Sequence, residues 1–251
     1  MRVVFFDTET TGIKDTDRIV QFAMKERGSE TSQKALFKPP VLLTPDASSV
    51  NHITNEMVAD CEPFIGSKMY QQLVEFSKDP EVVLCAHNAE FDRKMLAREG
   101  IELPHIICTM KLAHFFDKEG KLEKHNLQYL RYLYGINIEV KAHDALGDVL
   151  VLEKVFEVLW NQALEAYGHS RGLVGSGDVI DKLIKISNRP ILLKKWPRFG
   201  KYKEVPFALI PTDYLVWAKA NIDMDENLAY TVGRWIIHNE KLAAQALRTQ
   251  S

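Results

Sequence analysis

Three short segments rich in β-branched and aromatic residues open the chain, and they restrict its fold more than any other feature. Residues 2–6 run apolar and end in polar residues, as a buried strand does, and residues 18–25 and 34–38 follow with Gly28-Ser29 as the turn between them. Three consecutive strands predict an antiparallel meander. Downstream the pattern changes. Residues 54–60 and 68–78 predict helices, 81–86 a strand, 89–99 a helix closed by Gly100, and 105–109 another strand. Residues 126–134, ended by Gly135, and 145–166, ended by Gly168, predict two further helices. A meander followed by β-α-β units gives an α/β fold built on a sheet of mixed direction.

Charge divides the chain unevenly. Residues 1–169 carry a net −7 and residues 170–251 a net +5, so the overall −2 conceals an acidic body and a basic tail. Such a division suits carboxylates gathering metal in one part and cations meeting phosphate in the other. The glycine-rich stretch 168–177 lacks apolar periodicity and reads as a linker. We therefore expect a first domain over 1–168, a linker over 169–177 and a small basic α+β domain over 178–251. No apolar run approaches the roughly 18 residues of a membrane span. The apolar opening is too short for a signal peptide. Cys61, Cys85 and Cys108 are widely spaced with no CxxC pair, which predicts buried thiols in a reducing cytoplasm rather than zinc or disulfides.

Three motifs carry the chemistry. Asp7-Thr8-Glu9 lies at the end of the first strand, where side chains two apart share a face. His87-Asn88-Ala89-Glu90-Phe91-Asp92 places Asn88 at a helix N-cap and Asp92 one turn inside, just past the end of a strand. His143-Asp144-Ala145-Leu146-Gly147-Asp148 opens the long helix, with Asp144 at its cap, Asp148 in its first turn and His143 on the loop before it. Each motif alone has an ordinary structural reading: a strand-end cap, first-turn acids opposing a helix dipole, a surface histidine. Together, four carboxylates at the ends of three elements would repel one another and resist ionising unless cations joined them. Two Mg²⁺ or Mn²⁺ ions suit such oxygen ligands and the hydrolysis of a phosphodiester. An adjacent imidazole, with an ordinary pKa near 6.5, can take a proton from water at neutral pH.

The segments 7–12 (Asp-Thr-Glu-Thr-Thr-Gly), 87–92 and 143–148 resemble, in order, the three exonuclease motifs of the DEDDh superfamily, which includes ribonuclease T, oligoribonuclease and bacterial proofreading subunits. The resemblance covers about residues 1–165. It implies a ribonuclease H-like fold, with Asp7, Glu9, Asp92 and Asp148 as metal ligands, His143 as general base and nucleoside 5′-monophosphates as products. Residues 51–60, 107–113 and 199–203 further resemble the exonuclease X family. That resemblance makes His52, Ile53 and Thr54 candidate contacts for the terminal nucleotide, while Met57 and Val58 read as helix core. Thr10, Thr11 and Gly12 are candidate contacts for the terminal sugar through their backbone. Asn88 joins the substrate candidates, and Phe91 either stacks on a base or fills core.

In the tail, eight cations and no acid lie between Lys182 and Lys203. Lys194, Lys195, Arg198, Lys201 and Lys203 interleave with Trp196, Phe199 and Tyr202, the ingredients of single-strand binding, although a small domain also needs aromatics for its own core. Residues 213–221 and 226–242 predict closing helices, with Trp217, Leu228 and Trp235 as core. The sequence thus predicts a 3′→5′ exodeoxyribonuclease acting on single strands or 3′ ends of DNA, without a membrane and with a homodimer as one option. Its alternatives are a ribonuclease T-like enzyme directed at RNA and a non-catalytic nucleic-acid-binding protein on the same fold.

Overall fold

The computed structural model describes residues 1–139, 144–167 and 176–248. They fall into two compact units, Met1–Phe116 with Leu122–Asn188, and Asp117–Lys121 with Arg189–Ser251. The division falls after Asn188, C-terminal to the linker expected at 169–177. Residues 169–175 lie outside the described residues, and Ser176 opens a helix that belongs to the first unit.

The first unit runs β1 (Arg2–Thr10), β2 (Ile19–Glu26), β3 (Gln33–Leu36), α1 (Pro45–Asn51), α2 (Asn55–Val58), α3 (Lys68–Lys78), β4 (Val82–Ala86), α4 (Ala89–Arg98), β5 (Ile106–Cys108), α5 (Thr109–Phe116), α6 (Leu127–Leu133), α7 (Ala145–Tyr167) and α8 (Ser176–Ser187). The sheet order is β3-β2-β1-β4-β5. β1 pairs antiparallel with β2 and parallel with β4, so the meander and the β-α-β units meet at β1. This is the mixed sheet flanked by helices that the sequence predicts.

Alternation along β1 separates two cores. Val3 and Phe5 pack with Phe156, Leu152 and Val149 of α7 on one face. Val4 and Phe6 pack with Phe22 of β2, Leu73 of α3 and Leu96 of α4 on the other. Continuing that alternation puts Asp7 and Glu9 on the α7 face and Thr8 and Thr10 on the α4 face.

α7 is fixed to β2 by polar ties as well as by packing. Its first N–H, from Ala145, donates to Gln21 Oε1 at 2.8 Å. Lys25 Nζ donates to both carboxylate oxygens of Glu153 at 2.7 Å, and this ion pair is buried. Arg27 holds Glu157 in a bidentate pair at 2.8 Å and lies 4.4 Å over the ring of Trp160.

Three helices escape the sequence pattern. α1 has good cap chemistry, with Thr44 accepting from Ala47 N–H and Pro45 in the first turn, but buries only Asn51 and so shows no apolar stripe. α5 follows β5 with no intervening turn residue. α8 begins inside the glycine-rich stretch, yet Val179, Ile180 and Leu183 enter the α7-side core, and Ser187 Oγ accepts from Cys108 N–H at 2.9 Å.

Among the described residues, the second unit contains a 3₁₀ turn at Phe207–Leu209, α9 (Thr212–Asn221), α10 (Glu226–Arg248) and one isolated bridge between Lys195 and Pro206. Its core gathers Trp196, Phe207, Ile210, Leu215, Leu228 and Val232, with Trp235 packed against it. Trp217, expected in that core, is 52% exposed, whereas Trp196 is 1% exposed. Cys85 and Cys108 are buried free thiols and Cys61 is half-buried. Among the described residues no helix is long and apolar enough to cross a membrane.

Candidate active site

The site forms where the parallel strands β1 and β4 end and α7 begins. Carboxylate oxygens of Asp7, Glu9 and Asp148 all lie within 4.8 Å of one another, close enough to share a metal ion. Asp148 reaches them because it lies in the first turn of the helix that Gln21 pins to β2. Its Oδ1 accepts from Gln128 Nε2 of α6 at 2.7 Å.

Asp92 approaches from the α4 side. Thr8, the residue between Asp7 and Glu9, donates its hydroxyl to Asp92 Oδ1 at 2.6 Å. The middle residue of Asp-Thr-Glu thus links the α4 carboxylate to the other two by pointing to the opposite face.

Charge crowding is visible in the acidities. Burial, then the charges of Asp92, Glu9, Asp148 and Asp144, holds the Asp7 carboxyl well above the usual range. Burial and the charges of Asp148, Asp92 and Asp144 raise Glu9 to about 8. Burial raises Asp92 to about 7 against the opposing bond from Thr8. Protons or cations must fill this cluster, and hard divalent cations fit an all-oxygen donor set.

Asp144 adds to the field on Asp7 and Glu9, a role the sequence did not suggest. Its Oδ2 accepts from Gly147 N–H at 3.3 Å, as a helix cap does, while Oδ1 pairs with Lys34 Nζ of β3 at 2.9 Å. His143, the expected general base, lies outside the described residues. Beside Asp144 a cavity of about 440 Å³ opens, lined by Gln21, Lys34, Asn51, His52 and Met57 among others.

The remaining candidates divide by environment. His52 is exposed, ends α1 in a left-handed conformation (φ 60°) and lines the cavity. Ile53 touches the cavity too, but its side chain is 3% exposed and packs with Val20, Leu43 and Val58. Thr54 caps α2 by accepting from Met57 N–H. Met57, read as core, is half exposed on the cavity wall, and Val58 is core as read. Thr10 donates to Gly12 O, Thr11 is fully buried and donates to Asp17 Oδ1 at 2.9 Å, and Asn51 Nδ2 donates to Thr10 O at 3.1 Å. A Cβ at Gly12 would meet Asp17 Oδ2 at 2.6 Å, so the glycine makes room for that carboxylate. Asn88 is the N-cap residue of α4, as expected, but it sits at φ 59° and makes no side-chain cap bond. Phe91 is half-buried against the α4-side core.

His87, in the same motif, is locked. Nε2 lies 2.8 Å from His125 O and must donate there, leaving Nδ1 to accept from Thr109 Oγ1 at 2.8 Å. Burial lowers its pKa to about 4, against the pull of the His125 carbonyl.

Converging carboxylates at the strand ends of a mixed sheet define the class: a metal-dependent nuclease. The exonuclease family profile, of ribonuclease T type, matches residues 4–156, and the chain belongs to that family. It is 30% identical over 175 residues to the DNA polymerase III epsilon subunit of Treponema pallidum, covering 65% of this chain and 79% of that one. It is 28% identical over 242 residues to exodeoxyribonuclease 10 of Escherichia coli K12, covering 92% and 96%. Among solved structures, exonuclease X in complex with 5′ overhanging duplex DNA superposes with a TM-score of 0.56 at 23% identity, covering 74% of this chain and 99% of that one. The nuclease domain of 3′hExo bound to rAMP superposes at 0.53 with 13% identity, covering 64% and 92%. The chain is a 3′→5′ exonuclease of nucleic acid.

Proposed function

We propose that this chain removes nucleotides one at a time from the 3′ end of DNA, using two Mg²⁺ or Mn²⁺ ions held by Asp7, Glu9, Asp92 and Asp148. The observation that carries this reading is the meeting of Asp7, Glu9 and Asp148 within 4.8 Å, with Asp92 tied to the same strand through Thr8. Bound divalent ions would supply charge neutralisation and polarise the phosphodiester. The chain's own part is to orient and to move protons. His143, next to Asp144 in sequence, takes the proton of the water that attacks phosphorus. The bond from phosphorus to the 3′ oxygen breaks, that oxygen is protonated by solvent, and a nucleoside 5′-monophosphate leaves.

The cavity beside Asp144 is proposed to receive the terminal nucleotide, with His52 and Met57 at its wall, and Thr54, Asn88 and Phe91 remain proposed substrate contacts. DNA is favoured over RNA by the likeness to an exodeoxyribonuclease along nearly its whole length. In the second unit, Lys194, Lys195, Arg198, Lys201 and Lys203, all exposed, are proposed to meet strand phosphates. Trp196 drops out of that set because it is core.

The test is a gel assay on 5′-labelled single-stranded DNA and the matching RNA, with Mg²⁺ or EDTA. A metal-dependent ladder shortening from the 3′ end of DNA is expected. A ladder on RNA alone would move the assignment to an exoribonuclease, and intact strands in every lane with folded protein would defeat it.

A further inference from the structure

The second unit carries a row of rings at the margin of its core: Tyr202 and Tyr214 pack against that core, and Trp217 continues the row outward. Lys201 Nζ lies 5.2 Å from the centroid of the Tyr202 ring, Tyr202 lies 4.5 Å from Tyr214, and Tyr214 lies 5.4 Å from Trp217. The row begins in the Phe-Gly-Lys-Tyr-Lys turn at 199–203 and ends on α9, so two separate sequence segments compose one face. Buried Trp196 backs it, 5.4 Å from Tyr214 and 5.8 Å from Phe199. Gly200 turns the chain at φ 69°, where a Cβ would come within 3.5 Å of the Tyr214 hydroxyl.

Two rings of this face are left in water: Trp217 is 52% exposed and Phe199 42%. A small unit that buries Trp196 completely gains little core from a tryptophan half outside it, so packing alone does not explain Trp217. The surrounding charge selects the partner. Residues 189–203 contain six cations and no acid, and residues 189–251 carry a net +4 against −6 for residues 1–188. Exposed rings in a row beside cations complement bases in a row beside phosphates, whereas an acidic peptide would use the cations and leave the rings idle.

We propose that Trp217 and Phe199 are stacking platforms for the bases of a single nucleic-acid strand, with Lys201 and Lys203 on its phosphates. This rests on the reading that the chain acts on nucleic acid. It reassigns the stacking role from Trp196 to a residue on α9 that lies outside the basic segment.

The experiment uses the full chain in EDTA, which prevents cleavage, and follows the anisotropy of fluorescein-labelled dT20 and rU20. Trp217→Ala is expected to weaken dT20 binding about tenfold, the loss of one base stack. Trp217→Phe should keep most of the affinity, and Lys201→Ala with Lys203→Ala should lower the slope of log affinity against log salt by about two. Wild-type affinity in both Trp217→Ala and Phe199→Ala would overturn the proposal, as would polyglutamate competing as well as unlabelled dT20. If Trp217→Ala fails to fold, Trp217→Phe and Phe199→Ala carry the test, and a large loss in Trp217→Phe with wild-type affinity in Phe199→Ala would overturn it by showing a packing role. Hydrolysis of the p-nitrophenyl ester of thymidine 5′-monophosphate with Mn²⁺ reports the carboxylate site separately. Its absence in the wild type counts against the nuclease reading, while normal hydrolysis with unchanged dT20 affinity in the variants counts against the aromatic face alone.

Discussion

Glu9 is raised from an ordinary value of 4.5 to about 8 in the metal-free site. A carboxyl raised by folding holds its proton in the native state after the unfolded chain has lost it. Stability from this group is therefore lost as pH rises from about 4.5 to about 8. We expect the melting temperature of metal-free protein to fall across that window, and Glu9→Gln to flatten the fall; an unchanged slope in the variant would remove Glu9 from the cluster. Asp148→Asn should abolish cleavage while leaving the metal-free melting temperature unchanged or higher, because one like charge is gone. Retained cleavage would show that Asp148 holds no ion. Asp7, Glu9 and Asp148 were legible in the sequence because strand alternation and helix position fix their direction. Thr8, Gln128 and Lys34 were not, since each matters through a partner in another element.

At the scale of elements, placement of α7 decides whether Asp148 reaches the site. Lys25 and Glu153 are both buried, so Lys25→Met leaves a carboxylate without its partner, at a cost of about 3–5 kcal/mol. The double variant Lys25→Met with Glu153→Leu should recover most of that loss. Urea unfolding measures both, and equal losses in single and double variants would show that shape rather than charge holds the helix. α6 acts more locally. Gln128→Leu removes the amide that orients Asp148 and should weaken Mn²⁺ binding, read by calorimetry, about 10–100-fold. Unaltered Mn²⁺ affinity would make that bond incidental. The sheet was readable because each strand is an apolar run between polar turns. α1 and α5 were hidden, the first by lacking an apolar stripe and the second by following β5 without a break.

For the whole molecule, the boundary after Asn188 gives α8 to the nuclease unit. A chain ending at Asn188 should melt in one cooperative transition, whereas one ending at Gly172 loses Val179, Ile180 and Leu183 from the core and should be less stable by several kcal/mol, at about 2–5 for each large apolar side chain removed. Equal melting of the two would return α8 to the linker. Glycine-rich sequence concealed this because composition near 168–177 says nothing about the apolar residues one turn later. His87 has a wider consequence. Its lowered pKa means that acid destabilises the fold through His87 as alkali does through Glu9: the imidazole loses its contribution as pH falls from 6.5 to about 4. The metal-free protein is thus opposed by two half-buried groups of opposite habit, and loading with cations relaxes only the alkaline side.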